Sequence, residues 1–260
     1  MISPFAVVSP DAKLGENVVI EPFTTIFDDV VIGDGTRIGP NVVIYPGTRI
    51  GKNCEIFPGA VIGAVPQDLK YQGEYTTTEI GNYTIIRECV TIHRGTADKW
   101  KTIVGDHCML MGYVHVAHDC QIGNHVILAN YVGLSGHVTI QDYAILEGKV
   151  AAQQFVTVGA HAFVAGASLI RKSIPPFVRV AREPLSFIGV NTIGLRRRDF
   201  TDEQVRIVED IYRILFVQNS NVKKALDIIS EQIPNCVEKD LIVSFVNREE
   251  RGIVRGWVNE

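Results

Sequence analysis

The stretch "VVIGDGTRIGPNVVIYPGTRIG", residues 30–51, carries isoleucine at positions 32, 38, 44 and 50, and glycine follows three of the four. A spacing of six fits neither the 3.6-residue turn of an α-helix nor the seven-residue repeat of a coiled coil, so the count excludes an amphipathic helix. The frame extends in both directions. Upstream it runs through Ile26, Ile20, Leu14 and Val8 to Ile2, and downstream through Ile56 and Ile62. It resumes at Ile80, Ile86 and Ile92, and again from Val104 to Ile170; of 29 positions in the frame, only Asp68, Glu74 and Asp98 are not aliphatic. Small residues recur four places after the aliphatic one: Ala12, Val18, Thr24, Val42, Thr48, Cys54 and Ala60. Each hexad therefore reads as a short strand and a turn, and stacked hexads make a parallel β-helix.

The three lapses mark excursions. "AVPQDLKYQGEYTTTE" (64–79) and "RGTADKWKT" (94–102) leave the coil and return in frame. Long loops on a rigid scaffold are where function concentrates. The repeat ends near "IRKSIPPFVRVAREP", where Pro175, Pro176 and Pro184 interrupt both ladder and helix. A different period follows in "TDEQVRIVEDIYRILFVQ" (201–218), with Thr201 as N-cap and Val205, Val208, Ile211, Tyr212 and Leu215 at helical spacing. Segments 220–232 and 238–248 read as further short helices. The expected organisation is an all-β solenoid over residues 1–189 and a small α-helical domain over 190–260.

Composition narrows the functional classes. A chain of 260 residues, 46% hydrophobic, 21% charged and with net charge −4, lacks the basic excess of a nucleic-acid-binding protein. The five cysteines include no C-x-x-C pair, which argues for a reducing compartment rather than a disulfide framework. Neither a signal peptide nor a run of about 20 apolar residues is present, so a cytoplasmic protein without a membrane span is expected.

The frame resembles the hexapeptide-repeat family, whose coils hold three hexads and wind as a left-handed parallel β-helix. The resemblance implies both the three sides and the hand. With 18 residues per coil, residues 18 apart stack about 4.8 Å apart. His118, Gly136 and Gln154 then form one column, with His137 beside Gly136 and His115 three residues before His118. Imidazole titrates near neutral pH, which suits His118 to general-base work, with Asp119 to orient it. Gly136 has no side chain to obstruct its N–H from facing an oxyanion. Two other readings of the same histidines stand beside this one. They could ligate zinc, as in hexapeptide-repeat carbonic anhydrases, or they could be polar residues on a solvated face.

"QDLKY" (67–71), "TIHRGT" (91–96), "HVAHDC" (115–120), "GH" (136–137), "QF" (154–155) and "GVNTIGLRRR" (189–198) together resemble the acyl-carrier-protein:UDP-N-acetylglucosamine O-acyltransferase family over the whole chain. That resemblance implies transfer of a (3R)-hydroxyacyl chain from acyl carrier protein to the glucosamine 3-hydroxyl of UDP-N-acetylglucosamine, the first step of lipid A synthesis. It implies His118 as base, Asp119 as its support and Gly136 as oxyanion donor. Asp68, Lys70, His115 and His137 would contact the sugar or the acyl hydroxyl region. Gln154, Asn191, Arg197 and Arg198 would lie near the nucleotide, and Gly166 would act as the ruler for acyl length.

No metal or separate cofactor is implied, because the acyl group arrives on the phosphopantetheine of the carrier. A homotrimer with sites between subunits is implied, with His118 of one chain facing the first loop of another. A basic landing surface for the acidic carrier would draw on Arg171, Lys172, Arg179, Arg182, Arg196, Arg197 and Arg198. Two positions depart from the family pattern, Gln153 for His and Ile193 for Glu. The alternatives carried forward are a metal-dependent hydratase on the same solenoid and the later N-acyltransferase of the pathway.

Overall fold

A computed structural model describes residues 1–219, 221–249 and 252–256. The repeat folds as a three-sided parallel β-helix. The first face has nine strands, from Val7–Val8 to Leu169–Ile170, and the second has eight, from Lys13–Leu14 to Thr157–Val158. The third has ten, beginning at Val19–Ile20. Most strands are two residues long, and each pairs with the strand one coil above, as in His115↔Gly133 and Val116↔Leu134.

The frame residues form the core. Ile32, Ile38, Ile44, Ile62, Leu110, Val116 and Leu134 are all at most 1% exposed. Burying each such side chain contributes about 1.5–3 kcal/mol, and the sum holds the coils together. The small inward position is often threonine or cysteine, and several of their polar atoms find carbonyls of a neighbouring coil. Thr24 Oγ1 donates to Gly39 O at 2.7 Å, and the thiols of Cys54 and Cys108 each approach a glycine carbonyl at 3.0 Å. Burial pushes Cys108 up to about 11 and Cys120 up to about 12, so both stay as unreactive thiols.

Turns follow the same period. One residue of almost every hexad has φ near +60°, including Asn17, Asn41, Tyr113, Asp119 and His137. A non-glycine residue there costs on the order of 1–2 kcal/mol, which cooperative stacking offsets.

The third face outlasts the six-residue frame. Val178–Ala181 continues it in parallel with Phe163–Val164, and Ser186–Val190 turns back antiparallel, with Val178 opposite Val190. Four helices follow: α1 (Thr192–Arg196), α2 (Asp202–Tyr212), α3 (Val222–Gln232) and α4 (Val237–Arg248). Thr201 and Gln204 form a reciprocal capping box at the start of α2. The helical spacing read through to residue 218 changes hand-off at Arg213, where the chain widens into a π-helical segment, Arg213–Gln218. Tyr212 is fully buried and its hydroxyl donates to Pro176 O at 2.6 Å, tying α2 to the end of the solenoid.

Candidate active site

Both excursions leave the prism at one corner, because each connects a first-face strand to a second-face strand: Val61–Ala64 to Thr77–Ile80, and Thr91–His93 to Lys101–Val104. The turns holding His118 and Asp119, Gly136 and His137, and Gln154 occupy that same corner on successive coils. The two loops thus rise beside the predicted column. Residues of both loops of one chain reach it together, with Asp68, Lys70 and Glu74 of the first loop and Thr96, Ala97 and Asp98 of the second lining one cavity.

The second loop folds over Asp119. Thr96 donates twice to the carboxylate, its N–H to Oδ1 at 2.9 Å and its hydroxyl to Oδ2 at 2.6 Å, and the Lys99 N–H approaches Oδ1 at 3.3 Å. His118 Nδ1 lies 2.8 Å from Oδ2, and the two side chains are only 6% and 0% exposed. Burial alone would raise the Asp119 carboxyl, but hydrogen bonds from Thr96 and His118 outweigh it and hold it below its ordinary value. An anionic acceptor at Nδ1 fixes that nitrogen as the protonated one and leaves the Nε2 lone pair as the basic site. His118 and Asp119 thus sit beneath a loop rather than on a solvated face. Thr96 lay within a motif already singled out, yet its role depends on a loop folding back over a residue 23 positions away.

Gly136 lies against the imidazole one coil above. A Cβ there would come within 2.5 Å of His118 Cε1 and 2.6 Å of Nε2. Any side chain at 136 would collide with the basic edge of the ring, which gives the glycine a steric reason beside the electronic one. His137 meets His118 edge-on at 5.1 Å between ring centroids and stacks on Phe155 at 4.4 Å. Its Nδ1 lies 3.1 Å from Asp98 Oδ2, in an approach too oblique for a hydrogen bond.

A cavity of about 330 Å³ opens at this point, lined by Asp68, Lys70, Glu74, Thr96, Ala97, Asp98, His137 and Phe155. Six of the eight lining residues carry polar or charged groups, with Phe155 and the side-chain stems supplying an apolar part, which suits a hydroxylated ring.

His115 points outward from the first face. Its Nδ1 lies 2.7 Å from Thr91 Oγ1, and burial lowers its pKa. Gly133 opposes it on the next coil, and a Cβ there would meet nothing within 4 Å, so the space beside His115 is open. His93 meets His115 edge-on at 4.9 Å and is lowered to about 4, first by burial and then by the neighbouring histidines.

Among the described residues, His118, Asp119 and His137 each offer a ligand atom within 4.8 Å of the others. Both Asp119 oxygens already accept hydrogen bonds from Thr96, however, so the carboxylate is organised around donors rather than a cation.

The remaining predicted residues lie at other corners. Asn191 is buried; its amide donates to His161 O at 3.0 Å and its Oδ1 accepts from Gly194 N at 3.3 Å as the N-cap of α1. Arg197 is exposed at the C-cap of α1. Arg198 sits over the Tyr143 ring at 5.3 Å and beside His161 at 3.3 Å, at the corner between the second and third faces. Gly166 is exposed at the corner between the third and first faces, its N–H donating to Glu147 Oε2 at 3.1 Å. Each hexad spans roughly 20 Å or less. One chain therefore keeps these residues a full face away from His118.

The chain matches two family models. One, described as UDP-N-acetylglucosamine O-acyltransferase domain 2, covers residues 174–254, and the bacterial transferase hexapeptide model covers 29–64 and 101–136. An acyl-[acyl-carrier-protein]–UDP-N-acetylglucosamine O-acyltransferase of Sulfurihydrogenibium sp. (strain YO3AOP1) is 51% identical over 97% of this chain and 93% of its own length. The enzyme so named from Halorhodospira halophila is 41% identical over 98% and 99%. Among solved structures, a UDP-N-acetylglucosamine acyltransferase from Bacteroides fragilis 9343 superposes with a TM-score of 0.96 at 46% identity, covering 98% of this chain and 100% of that one. A full-length match of this kind disfavours both the hydratase and the N-acyltransferase alternatives. The chain belongs to the acyl-[acyl-carrier-protein]–UDP-N-acetylglucosamine O-acyltransferase family and is an acyltransferase.

Proposed function

We propose that this protein transfers a (3R)-hydroxyacyl group from acyl carrier protein to the 3-hydroxyl of the glucosamine of UDP-N-acetylglucosamine, with His118 as general base. The observation that carries the mechanism is the asymmetry of the imidazole: Nδ1 is held by Asp119, while the Nε2 edge faces a residue without a side chain. His118 Nε2 takes the hydroxyl proton as the sugar oxygen attacks the thioester carbonyl. Asp119 stabilises the imidazolium, and the Gly136 N–H faces the oxyanion. Collapse of the tetrahedral intermediate breaks the C–S bond, and the imidazolium returns its proton to the departing phosphopantetheine thiolate.

The sugar occupies the cavity lined by Asp68, Lys70 and His137, and His115, on the first face beside an open space, contacts the sugar or the acyl hydroxyl region. Gln154, Asn191, Arg197 and Arg198 serve the nucleotide, where planar guanidinium groups suit a pyrophosphate. Gly166 limits acyl length. The division at residue 190 assigns catalysis to the solenoid, and the basic landing surface for the carrier spans that division, with Arg171, Lys172, Arg179 and Arg182 before it and Arg196, Arg197 and Arg198 after it. Arg171 and Arg196 already pair with Glu183 and Asp202, but exposed pairs of this kind hold weakly. The carrier brings the only prosthetic group the reaction uses.

The corner arithmetic supports a homotrimer. A three-fold ring of copies sets one corner of each prism against a different corner of its neighbour, which is how base, arginines and ruler come to one cleft. A cytoplasmic setting fits the soluble substrates, and among the described residues no helix is long and apolar enough to cross a membrane.

The test is an assay of the purified chain with UDP-N-acetylglucosamine and a panel of hydroxyacyl carrier proteins, with and without a chelator. His118→Ala should lose at least the roughly 10²- to 10⁴-fold typical of general acid–base catalysis while remaining folded. Activity within a few-fold of the parent would remove His118 from the role, and chelator sensitivity would reopen the metal reading. Sedimentation equilibrium reads the trimer.

A further inference from the structure

Glu74 stands in the frame position where the first loop replaces an aliphatic residue, and its carboxylate is fully used. Oε2 accepts the Gln72 N–H within its own loop at 2.8 Å, and Oε1 accepts the Ala97 N–H of the second loop at 3.1 Å. Among the described residues, this is the one hydrogen bond that joins residues 66–75 to residues 96–99. The Tyr71 hydroxyl donates to Glu74 O at 2.9 Å, and the next residue, Tyr75, donates to Asp29 Oδ2 at 2.8 Å. The base of the loop is thereby pinned to the solenoid, and the Glu74 side chain is free to act as a strut to its neighbour.

The neighbour is the loop that holds Asp119. Residues flanking Ala97 do so directly, Thr96 with its N–H and hydroxyl and Lys99 with its N–H. Asp68 and Lys70 of the first loop line the same cavity as His137. Backbone donors, its own N–H and that of Gln72 foremost, keep the Glu74 carboxyl below its ordinary value, so it is the anionic, double-acceptor form that bridges.

We propose that Glu74 is a positioning residue that locks the substrate-contacting loop to the loop holding the catalytic carboxylate, and so sets the width of the sugar cavity. The inference rests on the nucleotide-sugar reading of that cavity. Glu74 touches no reacting atom, so its loss acts on substrate affinity rather than on proton transfer. A glutamine keeps the carbonyl acceptor for Ala97, while its NH2 replaces the oxygen that accepted the Gln72 N–H, so the bond between loops is retained and the bond within the first loop is lost.

The experiment compares full-length wild type, Glu74→Ala and Glu74→Gln. Glu74→Ala should raise KM for UDP-N-acetylglucosamine about tenfold with kcat within twofold, and Glu74→Gln should restore KM to within about threefold of wild type. An unchanged KM in Glu74→Ala, a fall of kcat in parallel with the rise in KM, or a glutamine variant as impaired as alanine would each overturn the strut. Amide hydrogen exchange is independent of substrate identity. The Ala97 amide should exchange about tenfold faster in Glu74→Ala while the Thr96 amide stays protected; equal Ala97 rates in the two proteins would refute the contact. Wild type that leaves UDP-N-acetylglucosamine unacylated would remove the substrate reading alone, because the exchange measurement still decides the strut.

Discussion

Thr96 and Asp119, 23 residues apart in sequence, are joined by two hydrogen bonds, one from the Thr96 N–H to Oδ1 and one from its hydroxyl to Oδ2. Hydrogen bonds to a charged acceptor contribute about 1.5–3 kcal/mol each. A residue outside the column thus fixes the charge of the group that holds His118 Nδ1.

Thr96→Val keeps the N–H bond and removes the hydroxyl. The Asp119 carboxyl, held below its ordinary value, should rise, and kcat should fall about tenfold, with the acid limb of the rate profile moving to higher pH. The stability effect has a defined sign. A depressed carboxyl contributes stability above its unfolded pKa and loses it as pH falls through the folded value. Wild type should therefore exceed Thr96→Val in urea midpoint at pH 7, and the gap should close as the pH drops below the usual carboxylate range. A gap that persists there would assign the hydroxyl a purely packing role.

Gly136→Ala tests the contact between column neighbours. The added Cβ would meet the His118 ring at 2.5 Å, so the imidazole must turn or the coil must shift. Overpacking of this kind costs about 1–3 kcal/mol, and the rate should fall by about 10²-fold or more. Titration of His118 by NMR, together with kcat, separates a displaced ring from a lost oxyanion donor. Full activity would exclude both roles.

Gly166→Met tests the ruler. A Cβ at 166 would meet only the Gly148 carbonyl, at 3.3 Å, and the flank of Glu147, at 3.8 Å, so the variant should fold with little change in thermal midpoint. Preference should move toward shorter acyl chains in a competition assay. An unchanged chain-length profile would displace the ruler from this corner.

Thiol titration reads the solenoid interior. Cys54, Cys108 and Cys120 are buried, while Cys89 and Cys236 are half-buried. No more than two thiols per folded chain should react with an aromatic disulfide reagent, and all five should react in denaturant. Early modification of a third would mean that the coils open more readily than their packing implies.

The six-residue frame made the solenoid legible because each aliphatic position obeys one local rule, repeated coil after coil. The column of His118, Gly136 and Gln154 followed from the same rule, once the resemblance supplied the coil length. What local rules could not carry was anything made by the excursions. Nothing in "TADKW" announces that Thr96 caps Asp119, or that Glu74, noted only as a lapse, bridges two loops. The π-helical turn after Tyr212 and the strand pair at 178–190 were equally hidden, since neither breaks nor announces a hydrophobic period. The arginines at 197 and 198 and the glycine at 166 were legible as residue types, but their separation from His118 emerges only from the corner each occupies.

The division between ladder and loop bears on how such an enzyme diversifies. The distance from His118 to Gly136 is metered by strand spacing, which no single surface substitution alters. The substrate contacts proposed for Asp68 and Lys70 depend instead on two loops and the few bonds between them. Lineages can accordingly drift in substrate affinity through loop mutations while the chemical step is inherited unchanged, so that selection acts on recognition and on rate through separate parts of one chain.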